Sequence, residues 1–587
     1  MSRAEVYWIN GPVLKARTDG VFQMKEAVFV GDTRLAAEVI RLDEDTVTVQ
    51  VFEDTTGLKP GVSIEGSGLP LAVDLGPGML GAMFDGIQRP LVEISRRYGD
   101  FFGAGLDIAA LDAERAWPFV PETKSGGDVL AGAMLGTVPE TQDLATRVMV
   151  PPGLRGRLEW IAPEGEYRID EVVARVRSDK GVEPVTLHQR WPIRRPRPVS
   201  QRMAPEERLL TGQRVVDTFF PIAKGGAAAM PGGFGTGKTV LLQTLAKWSD
   251  ADIIIYIGCG ERGNEMADVL NDFPKLEDPR SGRRLLERTV LIANTSNMPV
   301  AAREASIYTG ITVAEYFRDQ GYDVALFADS ISRWAEALRE ISGRLEELPA
   351  EEGYPAYLPT RLAEFFERSG RVRTLAGQSS SLTVVGTVSP PGGDFSEPVT
   401  AHTRRYVKSF LALDRDRAQA RFYPAIHPLL SYSGYATDTQ LGPVGDLGLR
   451  RRLLELLEEQ ARLEKMVKIV GRDALPASQR LVLVGAEVVT EALLRQSAFS
   501  ETDRYCSSEK QSEMLRVIDY FLQQAQRVVE SGVEPDRLLE LPETRRVLRM
   551  GEDIANDRLE DLAVLVRDVE HAFSALLPEP GAQRSTG

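Results

Sequence analysis

The chain has 587 residues, 43% hydrophobic and 26% charged, enough for about three or four ordinary globular cores. A formal net charge of −15 argues against a protein that grips nucleic acid along an extended surface. Two cysteines, Cys259 and Cys506, exclude a disulfide framework and fit a reducing compartment; no run of eighteen apolar residues exists to span a bilayer. The opening Met1-Ser2-Arg3-Ala4-Glu5 lacks an apolar signal core, so no secretory leader is expected.

Residues 1–75 read as short strands. Thr46 to Phe52 alternates Val47, Val49 and Val51 with polar partners, the pattern of a half-buried strand, and Asn10-Gly11-Pro12 and Asp43-Glu44-Asp45 supply turns. A small β-barrel is expected there. Residues from about 112 to 190 are also β-like but rich in Gly and Pro, and read as an insertion. From about 200, apolar runs alternate with helical patterns: Ala251–Gly258, Asp323–Asp329 and Leu382–Val388 are expected as parallel strands buried on both faces. Trp334, Leu338, Ile341, Leu345 and Leu348 recur at helical spacing. After about 440 the chain turns helical. Leu453, Leu456, Leu457, Leu463, Val467 and Val470 form one stripe, and Ser508-Glu509-Lys510-Gln511 has the form of a capping box. Residues 578–587 read as a disordered tail.

One segment carries more chemistry than any other. Gly232-Gly233-Phe234-Gly235-Thr236-Gly237-Lys238-Thr239 fits G-x-x-x-x-G-K-[ST], the P-loop. Glycines let backbone N–H groups turn toward one point and cradle phosphate oxygens. Lys238 can place an ammonium on the β- and γ-phosphates, and the Thr239 hydroxyl can bind Mg²⁺. The run Val240–Trp248 reads as a helix whose dipole points at the same phosphates. A nucleoside triphosphate is the expected ligand.

Such a loop needs a second carboxylate at a strand end for Mg²⁺. Asp329 closes the run Val324-Ala325-Leu326-Phe327-Ala328 and fits that role, with a plain helix N-cap as its alternative. Hydrolysis needs a group that orients water. Glu261, in Gly258-Cys259-Gly260-Glu261-Arg262-Gly263, stands at a strand's C-terminal end in a Gly-rich loop and is the candidate; Arg262 is a candidate phosphate contact. The alternative is a Glu261–Arg262 surface ion pair. The same hexapeptide matches the dinucleotide fingerprint G-x-G-x-x-G, but the stretch Asn271–Pro279, where an acidic strand end should follow, is polar and Pro-broken. Arg333 lies one helical turn past Asp329 and is a further cationic candidate. His402 and His427 lack metal-ligand spacing and read as structural.

With Gly258–Met266, Ala293-Asn294-Thr295-Ser296-Asn297-Met298-Pro299, Ser332–Glu340 and Ser389–Pro398, the chain resembles the catalytic A subunit of the rotary V-type/A-type ATPases over nearly its whole length. The resemblance implies four parts: an N-terminal β-barrel at 1–75, a RecA-like ATP-binding domain at 76–111 and 191–440, an inserted β-rich bulge domain at 112–190, and a C-terminal helical domain at 441–587. It implies ATP/ADP and Mg²⁺ as ligands and an alternating hexamer of three A and three B subunits. Central and peripheral stalk subunits, and a membrane rotor sector reached through partners, complete the implied assembly, peripheral on the cytoplasmic face of a membrane. Nucleic acid is not among the implied partners. It assigns Glu261 to the attacking water and Lys238, Arg262 and Arg333 to the phosphates. By similarity Tyr423, in Tyr423-Pro424-Ala425-Ile426, and Phe499 flank the adenine. An arginine finger is expected from the neighbouring B subunit.

The chain departs from the family's Gly-Pro-Phe-Gly-Ser-Gly-Lys-Thr at Gly233 and Thr236, which predicts a looser loop at residue 233. Ile331 stands where threonine is usual and Tyr423 where phenylalanine is common. Two other readings stay open. An RNA translocase on the same hexameric core lacks the basic-aromatic platform it would need at residues 1–75. A non-catalytic nucleotide-holding subunit conflicts with the joint presence of Lys238, Thr239, Glu261 and Asp329.

Overall fold

The computed structural model describes residues 2–99, 105, 108–263, 271, 273–278, 281–435 and 447–577. Residues 264–266 of the sequence landmark, 272 and 279 of the Pro-broken stretch, the 440/441 boundary and the tail 578–587 lie outside these residues. The chain forms two compact units. The first holds residues 1–205, 224–229 and 251–407; the second holds 206–223, 230–250 and 408–587.

The first unit begins with a closed antiparallel barrel of six strands, β1 (Arg3–Asn10), β2 (Val13–Arg17), β3 (Glu26–Val30), β4 (Leu35–Asp43), β5 (Thr46–Val51) and β6 (Ser63–Pro70), in the order β1-β2-β5-β4-β3-β6. The alternating valines do what their period predicts. Val6, Leu14, Val28, Val39, Val47, Val49 and Ile64 point inward into one apolar core. The Gly/Pro-rich insertion contains two four-stranded sheets, and one apolar core, with Leu135, Val150, Leu158, Val176 and Val185, draws on residues of both.

The same unit carries a mainly parallel sheet. Six of its ten strands are β7 (Met83–Phe84), β8 (Ala227–Pro231), β9 (Ile253–Glu261), β10 (Thr289–Thr295), β11 (Asp323–Asp329) and β12 (Ser379–Val388), ordered β8-β12-β11-β9-β10-β7. The pairs β12/β11, β11/β9, β9/β10 and β10/β7 are parallel. The last two residues of β8 belong to the second unit. Ile253 to Cys259 are all buried, as expected of a strand covered on both faces. This strand starts two residues later and runs three residues further than its apolar run predicts. The helix Ile331–Arg344 stops short of the predicted stripe. Glu346 adopts a left-handed φ of 59°, which ends the helix and leaves Leu348 91% exposed.

The second unit is helical after residue 446, with helices Leu447–Val470, Ala477–Val489, Ser508–Glu530, Pro542–Asp553 and Glu560–Ser574. Met514, Ile518 and Phe521 are buried, and Phe521 meets Phe573 edge-on at 5.1 Å. Two expectations are corrected. Val470 is exposed, so the first stripe runs out before the helix does. The cap of Ser508–Glu530 is Ser507, whose side chain accepts from Lys510 N–H; Ser508 is already helical. No helix among the described residues is long and apolar enough to cross a membrane.

Candidate nucleotide site

In the second unit, the Gly-rich loop leads directly into the helix Lys238–Trp248, two residues earlier than the apolar pattern predicts. Gly235 and Gly237 have φ of 77° and 81°, values that disfavour any side chain, and the place of a Cβ on Gly235 is open space. At Gly237 a Cβ would come within 3.3 Å of the Tyr423 ring, so glycine here also admits the aromatic. The Lys238 ammonium donates to the Gly232 and Gly233 carbonyls at 2.7 and 2.8 Å. The Thr236 hydroxyl donates to the Gly233 carbonyl at 2.9 Å. The two departures from the family loop thus touch each other. The hydrogen bond from Thr236 ties down the carbonyl of the residue where proline's ring is missing.

Gly235, Thr236 and Gly237, with Val240 and Thr244 of the following helix, line a cavity of about 760 Å³. Tyr423 and Phe499 line it as well, at 43% and 95% exposure. The Tyr423–Pro424 peptide is cis. A phosphate cradle opening on an aromatic-walled cavity of this size fits one nucleotide.

In the first unit, Glu261 ends β9. Cys259 pairs with Asn294 and Glu261 with Thr295, so Gly260 is an extra residue, a bulge that turns the Glu261 side chain away from the regular pleat. Gly260 has φ of 71°, and a Cβ on it would lie 2.8 Å from the Cβ of Arg333 and 3.0 Å from Cδ of Arg303. The glycine therefore lets both arginines approach the strand end. Arg262 is exposed. Arg333 donates to Glu336 at 2.8 Å from its place on the helix Ile331–Arg344. Ile331 is fully buried against Gly386, where a Cβ would meet its Cγ1 at 2.8 Å.

Asp329 ends β11 and is 2% exposed. The Thr387 hydroxyl donates to its Oδ1 at 2.5 Å. The capping alternative for Asp329 does not hold: Ser330 is the N-cap, accepting from Arg333 N–H. His427 Nδ1 accepts from Leu429 N–H and Leu430 N–H, which makes it a turn residue. A buried carboxylate such as that of Asp329 is the kind of hard oxygen donor that Mg²⁺ prefers.

Three residues of these sites carry no local signal. Thr387, Arg303 and Gln496 each bond at least one partner more than 40 positions away in sequence, and no local motif announces them. For Thr387 the one available signal is its place at the end of a strand in the same parallel sheet.

A Gly-rich loop running into a helix on an aromatic-walled cavity, in a chain that also holds a parallel sheet, a barrel, an insertion and a helical C-terminus, marks a P-loop ATPase. Residues 212–433 match the nucleotide-binding domain of the ATP synthase alpha/beta family, 6–68 its beta-barrel domain, 108–194 its barrel-sandwich domain, and 447–538 the C-terminal domain of V and A type ATP synthase. The chain is 52% identical to the A subunit of the A-type ATP synthase of Methanopyrus kandleri, over 98% of this chain and 99% of that protein. It is 51% identical to the V-type ATP synthase alpha chain of Halothermothrix orenii, over 98% of each. In fold alone it resembles the assembled ATPase EscN of an enteropathogenic E. coli type III secretion system, with a TM-score of 0.63, 22% identity, and coverage of 88% of this chain and 99% of that one. The chain belongs to the family of A subunits (alpha chains) of the A-type/V-type ATP synthases. It is the catalytic subunit of a rotary enzyme that couples ATP hydrolysis or synthesis to ion transport.

Proposed function

We propose that this chain binds ATP or ADP with Mg²⁺ and carries out phosphoryl transfer to and from water as the A-type member of a hexamer in which it alternates with B-type subunits. Stalk subunits and a membrane rotor sector for H⁺ or Na⁺ complete the assembly, with this chain peripheral on the cytoplasmic face. The division at 1–75, 76–111 with 191–440, 112–190 and 441–587 is part of this reading. The observation that carries it is the Gly-rich loop on the wall of the cavity lined by Tyr423 and Phe499.

Each residue has a role in the proposal. Gly232, Gly233, Phe234, Gly235, Thr236 and Gly237 form the phosphate cradle. Lys238 compensates charge on the β- and γ-phosphates, and Arg262 and Arg333 add positive charge. Glu261 accepts a hydrogen bond from the attacking water and aligns it with the γ-phosphorus; attack yields ADP and phosphate, and synthesis runs in reverse. Tyr423 and Phe499 stack on the base. Thr239 and Asp329 would hold Mg²⁺, which supplies charge neutralisation at the phosphate oxygens.

Purification of the chain from native membranes under mild detergent tests the assembly. Recovery with a homologous partner and stalk proteins, in a complex whose ATP hydrolysis drives ion uptake into vesicles, is the expected result. A chain recovered alone and hydrolysing ATP at full rate would replace this reading with a self-contained ATPase.

A further inference from the structure

Gln496 lines the nucleotide cavity but spends its polar groups on the protein. It is 3% exposed. Its Oε1 accepts from Arg214 N–H at 2.8 Å, and its Nε2 donates to the Gly212 and Asp503 carbonyls, both at 2.8 Å. With an N–H on one side and two carbonyls on the other, only one orientation of the amide satisfies the set. Its backbone N–H donates to the Tyr423 carbonyl at 2.9 Å. One residue therefore ties the segment 212–214 and both aromatic-bearing segments to one another.

The surrounding groups hold the same loop. Asp503 Oδ2 accepts from Ser497 N–H at 2.7 Å, closing the turn that contains Phe499. The buried Arg214 guanidinium pairs with Asp503 and donates to the Leu493 and Arg495 carbonyls. The Phe499 ring is almost wholly exposed, so packing of the ring does little to fix its loop. Its position relative to Tyr423 is set by the cage beneath it.

We infer that Gln496 is a positioning residue for base recognition: it sets the spacing of Tyr423 and Phe499, and through them the share of nucleotide affinity contributed by the base rather than by the phosphates. This deepens the proposed nucleotide site and rests on that reading. The phosphate cradle takes no hydrogen bond from Gln496, so its loss should be felt by ligands with a base and not by ligands without one.

Binding of ATP and of inorganic tripolyphosphate to the full chain separates the two. In Gln496→Ala, ATP affinity should fall about tenfold, as expected for disrupting a buried hydrogen-bond hub, while tripolyphosphate affinity stays within about twofold. Gln496→Met, which keeps the side chain's length, should give the same split. Equal loss of both ligands, or no loss of ATP, would overturn the inference. Hydrogen exchange in the unaltered chain needs no variant: ADP should slow the amides of residues 496–500 and tripolyphosphate should not, and equal protection by the two ligands also overturns it. Tyr423→Ala and Phe499→Ala serve as references. If they lower the ratio of ATP to tripolyphosphate affinity and the Gln496 variants do not, only the inference falls. If neither reference changes that ratio, the base is bound elsewhere and the reading of the cavity falls with it.

Discussion

The Ser296 N–H donates to the Glu261 carbonyl at 2.8 Å, and the Arg303 guanidinium donates to the Ser296 carbonyl at 2.9 Å. The bulge at Gly260 and these two bonds fix the backbone of Glu261 at the strand end without drawing on its carboxylate. A strand end so tied holds its backbone in place, as a water-orienting group would require. Glu261→Gln keeps size and hydrogen bonding but not the carboxylate's charge. It should retain nucleotide affinity and lose roughly 10²–10⁴ in hydrolysis rate. Single-turnover hydrolysis beside equilibrium nucleotide binding checks this; a variant that binds weakly yet turns over normally would make Glu261 a structural residue.

Lys238 donates to two carbonyls of its own loop, at Gly232 and Gly233. The ammonium is thus held over the cradle where phosphate oxygens are expected. Lys238→Ala removes that charge and should cost on the order of 2–4 kcal/mol of transition-state stabilisation, the usual scale for one positioned electrostatic group. Steady-state ATPase of the assembled complex is the measurement, and near-normal turnover would be incompatible with the assigned role.

What could be read from the sequence was what is local. The P-loop, the buried β-branched runs and the valine alternation of the barrel all follow from spacings within ten or so residues, and all appear in the fold. Glu261 and Asp329 were placed at strand ends by their neighbours alone. Tyr423 and Phe499 came from family resemblance, since an aromatic before proline and one in a polar loop have no periodicity to betray them. Gln496 was missed because its meaning lies in Gly212, Arg214, Asp503 and Tyr423, which are remote in sequence or lie in the same irregular loop. The helix beyond Arg344 was overextended because an apolar stripe shows which face would be buried, not where the backbone stops; the left-handed Glu346 decides that.

Glu140 provides a test of fold stability that is separate from catalysis. In the insertion it accepts from Gly78 N–H at 2.7 Å and from the Thr146 hydroxyl, with Arg115 nearby. Burial outweighs these bonds and pushes its carboxyl from 4.5 up to about 7. The folded chain therefore keeps a proton that the unfolded chain releases between about pH 4.5 and 7. Its contribution is fully present below about pH 4.5 and is lost as pH rises through about 7. Glu140→Gln can still accept from Gly78 and donate to Thr146 without ionising. It should flatten this part of the pH profile and stabilise the fold by about 1–3 kcal/mol at pH 8. Thermal midpoints from pH 5 to pH 8 decide the matter: an unchanged slope would show that Glu140 does not carry that proton.

The isolated chain should be a poor ATPase whose activity appears on assembly. Phosphoryl transfer of this kind needs cationic groups around the γ-phosphate. In the proposed site the chain's own contribution is Lys238, Arg262 and Arg333, and Arg333 donates one N–H to Glu336. The resemblance places a further arginine on the neighbouring B-type subunit, and a finger of that type is worth about 10³–10⁵ in rate. Binding and hydrolysis should then separate. The aromatic cavity and the phosphate cradle are both built from this chain, so the chain alone should bind nucleotide. Turnover per active site should rise by roughly three orders of magnitude or more when the B-type partner is added. A partner whose finger arginine is replaced by lysine should assemble without restoring the rate, because a point charge does not reproduce the guanidinium's bidentate geometry. Measuring turnover for the chain alone, with the partner and with the altered partner distinguishes the cases. Full turnover by the chain alone would mean that every catalytic group is present in one chain.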